Sequence, residues 1–376
     1  MKKTKKYKQV IVCTLLLVSC GETKNEEKEI YETDVEPWIT RITIEESPFL
    51  PHDLEKAIKV LVEELNEEEQ PNDIKLGILP KTTDGYFSVA ILGANRAFGE
   101  LGVIGTVHGG TTVMSPEELV EWQSTLMEKQ LEAHYDGVGL APLVGELVDE
   151  INVAVEEGMT VVTFDSDEIE SKRHFYIGTG NYDAGKKAGE TIDNIVEELG
   201  TVIVLGHNEE DWIDGYNRTS GARDALEAAG YNVVVVTANW QVPEENIAAM
   251  SDALVDADPK AVGMLGLFSN AYQCVDAAIS AGMENQLKIA TFDFEAETLA
   301  YMEDGLIQVT HGQRQYYMGY LIPYILVASK MFGVEETKSL LSDIVVSGDI
   351  IDTGLDIVEA DELAEYNDFL ISLGIL

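Results

Sequence analysis

From residue 74 onward, short apolar runs alternate with longer stretches of 3.6-residue periodicity, the pattern of a parallel sheet with crossover helices. Runs at 74–79, 103–107, 137–140, 160–164, 202–205, 233–237, 261–267 and 288–292 read as strands. Windows at 116–132, 144–157, 183–199, 215–229 and 244–255 read as helices between them. Helix ends are punctuated. Ser115-Pro116-Glu117-Glu118 makes an N-cap with proline in the first turn, and Gly158, Gly200, Gly230 and Gly282 stand where helices should stop. Upstream, Leu54, Ala57, Ile58, Val60, Leu61 and Leu65 repeat at helical spacing. The segment 51–73 is therefore expected to hold an N-terminal helix, either packed on the body or acting as a spacer.

The first residues read differently. Lys2, Lys3, Lys5, Lys6 and Lys8 precede an apolar run from Val10 to Val18, the layout of a bacterial export signal. A bilayer span needs about 20 residues, so this run is too short to be a stable anchor. It ends in Leu17-Val18-Ser19-Cys20, which resembles the lipobox of bacterial lipoproteins. That resemblance implies cleavage after residue 19 and lipidation of Cys20, leaving a protein exported and held at a bacterial membrane only by lipid. Residues 20–50 open with a polar, acidic stretch and are expected to be a flexible tether.

At 376 residues the chain exceeds what one hydrophobic core usually holds, which points to two lobes. Its formal net charge is −43, with 68 acidic against 25 basic residues, and such a surface repels nucleic acid. The three cysteines, Cys13, Cys20 and Cys274, form no C-x-x-C pair, and the six histidines show no metal-pair spacing. Cys274 reads as a small buried hydrophobe. No glycine-rich phosphate loop and no G-x-S-x-G elbow occurs. Neither a cofactor nor a metal is expected, and an enzyme is disfavoured.

One internal echo carries more information than these absences. Thr160-Val161-Val162-Thr163-Phe164-Asp165 parallels Lys288-Ile289-Ala290-Thr291-Phe292-Asp293, each an apolar strand ending in Thr-Phe-Asp after a helix that stops at glycine. Ligands of open α/β sheets bind outside the carboxyl ends of strands. Two such aspartates suggest two similar lobes, each lending a carboxylate to a shared cleft. The alternative is that both cap helix N-termini.

With these features the chain resembles the ribose-binding-like periplasmic sugar-binding proteins of the type I fold, over about residues 74–358. The resemblance implies an α/β fold of two Rossmann-like lobes joined by three hinge crossings. The lobes would be 74–180 plus 314–346 and 181–313 plus 347–376, with crossings near Gly180-Asn181, 309–313 and 347–352. It implies a ligand set as well. In Thr83-Asp84-Gly85-Tyr86-Phe87, Asp84 would bond a hydroxyl while Tyr86 and Phe87 wall the pocket. Asp165 and Asp293 would be the two carboxylates, Arg218 a fork for two adjacent oxygens, and Trp240 an aromatic face. Asn270 and Gln313 would complete the set.

The implied function is capture of a small sugar or polyol by hinge closure and delivery, as a monomer, to the permease of an ABC importer. A receptor feeding a membrane sensor, or an exported sugar-acting enzyme, are the alternatives. One departure stands out. The family's arginine after the first carboxylate is Ser166 here, leaving three aspartates against one arginine, which makes room for another sugar, a polyol or a cationic solute. The repressors that share this fold carry a basic helix-turn-helix where this chain has its acidic stretch.

Overall fold

In the computed structural model, the structure describes residues 37–39, 41, 44, 46–71, 73–111, 114–143, 145–342 and 346–376. The export signal and Cys20 lie outside the described residues. Helix α1 (His52–Asn66) leads into a first run: β1 (Lys75–Leu79), α2 (Tyr86–Leu101), β2 (Ile104–Val107), α3 (Pro116–Glu132), β3 (Gly137–Leu140), α4 (Val148–Glu156), β4 (Thr160–Phe164) and β5 (Phe175–Gly178). A second run follows: α5 (Asn181–Ile195), β6 (Thr201–Gly206), α6 (Ile213–Ala229), β7 (Asn232–Thr237), α7 (Pro243–Asp256), β8 (Ala261–Gly266), α8 (Gln273–Ala281), β9 (Lys288–Phe292), α9 (Ala296–Glu303) and β10 (Val309–Gly312). The chain ends in α10 (Gln315–Phe332), α11 (Val334–Leu341), β11 (Val346–Ser347), β12 (Ile350–Asp352), β13 (Asp356–Glu359) and α12 (Leu363–Leu373).

Two sheets result, ordered β11-β12-β5-β4-β3-β1-β2 and β13-β10-β9-β8-β6-β7. All pairs are parallel except β11–β12 and β10–β13. Strands such as β3, β6 and β8 are buried along their whole length because helices cover both faces, which is why they read as unbroken apolar runs. Strand order reverses between β1 and β3 in one sheet and between β6 and β8 in the other, the places where α/β sheets open a crevice.

Helix α1 buries Leu54, Ala57, Ile58, Leu61 and Leu65 in the first core, so it packs on the body. Each of its large side chains contributes roughly 1.5–3 kcal/mol by leaving water. The capping box at Ser115 forms as the sequence suggests, Ser115 Oγ accepting from the Glu118 amide at 3.2 Å. Cys274 is fully buried, and burial pushes its thiol up to about 12.

Three expectations are corrected. Residues 37–50 are not all tether, because Ile39 and Phe49 are buried and Phe49 meets the Tyr366 ring edge-on at 4.9 Å. Gly200 does not stop a helix, since α5 ends at Ile195. Finally, the chain beyond residue 346 does not move to the second lobe as a block. A turn at Gly348, with φ of 70°, folds β11 onto β12, and β12 extends the first sheet beside β5 with Ile351 fully buried. Only β13 joins the second sheet, so the third crossing falls between Asp352 and Asp356.

The crossings 178–181, 312–315 and 352–356 are laced together. Arg314 adopts φ of 58° and bonds the Thr353 carbonyl at 2.9 Å and Asp356 at 2.6 Å. Asp352 accepts from the Gly180 amide at 2.9 Å, and the Thr353 amide donates to the Gly178 carbonyl at 2.8 Å. Helix α12 reaches across both lobes. Its Tyr366 stacks on Phe294 of the second lobe at 4.6 Å, while Arg96 of the first donates to the Leu373 carbonyl at 3.3 Å.

Candidate functional site

Both Thr-Phe-Asp ends form the same local structure. Asp165 and Asp293 take left-handed φ values of 65° and 63°, rare for a residue with a Cβ and costing about 1–3 kcal/mol each. In each case the aspartate amide donates to a neighbouring strand: Asp165 to the Ile177 carbonyl at 3.1 Å, Asp293 to the His311 carbonyl at 2.8 Å. Each aspartate carbonyl accepts from a hydroxyl on that same strand, Tyr176 at 3.0 Å and Thr310 at 2.9 Å. Neither aspartate is the residue immediately before a helix, and neither makes a side-chain helix cap. The strain holds both carboxylates at the strand ends.

Around Asp293 the second lobe builds a buried chain. Gln313 Nε2 donates to both Asp293 oxygens at 3.0 and 3.2 Å, while its Oε1 accepts from Arg218 Nη2 at 2.6 Å and from Thr179 at 3.2 Å. Arg218 Nε and Nη2 donate to Asn181 Oδ1 at 3.0 and 2.6 Å, and Nη1 donates to the Leu267 carbonyl at 2.9 Å. Asn181 Nδ2 in turn donates to Asp214 at 2.9 Å. Of five guanidinium N–H groups, four are thus used within the protein. Arg218 is left one Nη1 donor for a ligand rather than the two-oxygen fork the sequence suggested. The guanidinium also lies 4.8 Å from the centre of the Phe292 ring.

From the first lobe, Lys81 Nζ bonds Asp165 at 3.1 Å and also Ser166. Lys81 thus supplies the cation whose loss at Ser166 the sequence had suggested. Asp167 is held by Arg173 at 2.5 and 2.6 Å, so the Asp165-Ser166-Asp167 stretch is no metal ligand set. No metal-holding cluster occurs among the described residues. Burial, then the Asp165 and Asp293 carboxylates, push the Tyr86 hydroxyl well above its ordinary value. Tyr86 therefore stands between the two lobes' carboxylates as a neutral donor.

Three buried polar atoms here lack a hydrogen-bond partner: Asp214 Oδ2, and Asn270 Nδ2 and Oδ1. Such atoms cost about 1–3 kcal/mol each unless something bonds them. Beside them Trp212, Trp240 and Phe268 form one aromatic cluster, with ring centres 4.8–6.2 Å apart. Trp240 keeps 50% of its surface exposed.

The structure thus brings Tyr86, Asp165, Arg218, Trp240, Asn270, Asp293 and Gln313 to one interlobe locus. Phe87 turns into the first core, buried against Phe164, although Lys81 lies 5.9 Å over its ring. Asp84 is exposed rather than buried with the cluster. Lys81, Asn181, Trp212, Asp214 and Phe268 were missed.

The family described as a periplasmic binding protein domain matches residues 76–330. The chain belongs to that family. The family is one of solute-binding proteins rather than enzymes. Several solved structures share this binding protein's fold. A solute-binding protein from Burkholderia graminis in complex with D-arabinose is 22% identical, with a TM-score of 0.64 over 79% of this chain and 98% of that one. AraP, an arabinose-binding protein from Geobacillus stearothermophilus, is 24% identical, with a TM-score of 0.65 over 78% and 99%. A sugar-binding protein of a sugar ABC transporter from Bacillus halodurans is 23% identical, with a TM-score of 0.66 over 78% and 100%. No curated protein matches the chain.

Proposed function

We propose that this binding protein captures a small sugar or polyol between its lobes and delivers it to the permease of an ABC importer. Export by residues 1–19 and lipid on Cys20 would hold it at a bacterial membrane. The observation that carries the reading is the set of unpartnered polar atoms on Asp214 and Asn270, beside Tyr86, carboxylates from both lobes and an aromatic cluster. A sugar offers hydroxyls around its edge and C–H groups on its faces, and it would satisfy both at once. Hydroxyls donated to Asp165, Asp214 and Asp293 form charge-assisted bonds. Lys81 and Arg218 stand among these carboxylates, which favours a neutral, hydroxyl-rich solute over a cationic one. Because Tyr86 comes from one lobe and Asp293 from the other, a ligand bonding both favours the closed arrangement and shifts the population toward it.

The test is thermal shift and calorimetry on a panel of pentoses, hexoses, polyols and amines. A ligand at a thousandfold excess over Kd adds about 4 kcal/mol of stability. One sugar or polyol should raise Tm by several degrees; a response to amines alone would overturn the carbohydrate reading.

Acidity gives a second expected result. Burial raises Asp293 and Asp214 from their ordinary 3.8 to about 6. Between those pH values the folded carboxyls hold protons that the unfolded ones have lost. Their contribution to stability is therefore full below about pH 4 and lost as pH rises through 6. Ligand binding should run the other way, because the ionised carboxylates are the stronger acceptors. Affinity measured from pH 5 to 8 should rise through about 6, and Asp293→Asn should flatten the curve. An unchanged profile in that variant would remove Asp293 from the ligand set.

A further inference from the structure

We infer that the solute is a glycoside whose apolar aglycone occupies a second subsite, a reading that rests on the carbohydrate assignment above. A cavity of about 290 Å³ opens beside the polar cluster, with walls from both lobes. Val89 of α2 lines it from the first lobe, and Phe294 and Leu299 from the second. Phe369, Leu370 and Leu373 of α12 close its side.

Two observations make it a continuation of the solute site rather than a separate hollow. Tyr86 and Asp293 line the cavity and also belong to the polar cluster. Gln315 lines it as well, with Nε2 3.4 Å from Asp293 Oδ1. Asp293, the carboxylate expected to hold the sugar, is thus part of the cavity wall, which also carries Glu295, Arg314 and Asp356 but is otherwise largely hydrocarbon.

Size and chemistry set the class of occupant. A dry apolar cavity of about 150 Å³ holds benzene, so this one accommodates an aryl ring or a short alkyl chain. A free sugar presents hydroxyls in every direction around its rim. A hydroxyl packed against Val89, Leu299 and Leu370 would gain no hydrogen bond from those side chains, and burying it there is unfavourable. A sugar whose glycosidic oxygen carries an aryl or alkyl group matches the carboxylate and the hydrocarbon of the wall together. The walls lie on different lobes, so such a group would also bridge the two and strengthen closure.

The experiment is calorimetry on the full chain with each sugar of the panel and with its methyl and phenyl glycosides, both anomers. One phenyl glycoside should bind at least tenfold tighter than the matching methyl glycoside. Leu299→Trp, and separately Leu370→Trp, should fill the subsite and abolish that gain while leaving the affinity for the unsubstituted sugar within twofold. If a free sugar binds and no phenyl glycoside binds tighter than its methyl counterpart, the aglycone subsite is wrong and the carbohydrate reading stands. If the gain survives in both tryptophan variants, the cavity is not the subsite. If neither sugars nor glycosides bind, both readings fall.

Discussion

Arg218→Met should abolish measurable solute binding and lower unfolding stability by about 3–5 kcal/mol, the cost of breaking a buried charge network by removing one partner. The reason lies in what the guanidinium holds. Asn181, Gln313 and the Leu267 carbonyl each accept from it, and the methionine offers none of them a donor. Gln313 would then lose the bond that fixes its amide while it donates to Asp293. Asp293 would keep its burial and lose the cation that partly offsets it. Asn181 would be freed as well, and with it the orientation of Asp214.

Arg218→Lys is the informative companion. It keeps a charge, but a single ammonium cannot span the three acceptors, so it should recover part of the stability and little of the affinity. Urea unfolding and calorimetry on the three proteins measure both effects. An Arg218→Met protein within 1 kcal/mol of the parent, binding solute normally, would show that the network does not organise the site.

The residues that could be found by reading the chain share a property: their signal is local. Asp165 and Asp293 announce themselves because each ends an apolar run, and the repetition of Thr-Phe-Asp points to equivalent places in two lobes. The same positions then prove to share a left-handed backbone that no sequence pattern displays. Lys81 was invisible for the opposite reason. Its partner Asp165 lies 84 residues away, and only the parallel alignment of β1, β3 and β4 brings them together. Asp214 sits in a stretch rich in acids, Glu209-Glu210-Asp211-Trp212-Ile213-Asp214, and burial alone distinguishes it. The division at residue 347 failed because β11 and β12 are two and three residues long, too short to show a period.

Gly185→Ala should cost about 3 kcal/mol or more and weaken solute binding together with stability. A Cβ on Gly185 of α5 would stand 1.8 Å from the Arg218 carbonyl oxygen of α6, and one on Gly221 of α6 would stand 2.0 Å from the Tyr182 carbonyl oxygen of α5. The obstacles are backbone atoms, so no side chain can swing aside and the helices must part. Overpacking of ordinary cores costs about 1–3 kcal/mol, and this contact is stiffer. Parting them separates Asn181, on α5, from Arg218 and Asp214, on α6, whose bonds to it are 2.6–3.0 Å long. The first lobe uses the same device. Gly319 of α10 and Gly93 of α2 would place a Cβ 1.8 and 2.2 Å from the carbonyls of Ala90 and Tyr316. There the helix displaced is the one that starts at Tyr86, so Gly319→Ala should also weaken binding. Gly99→Ala supplies the control, because nothing lies within 4 Å of its Cβ. In a helix interior that exchange should stabilise by about 0.5–1 kcal/mol. Equal, small effects from Gly185→Ala and Gly99→Ala would mean that close helix contact does not set the geometry behind the site.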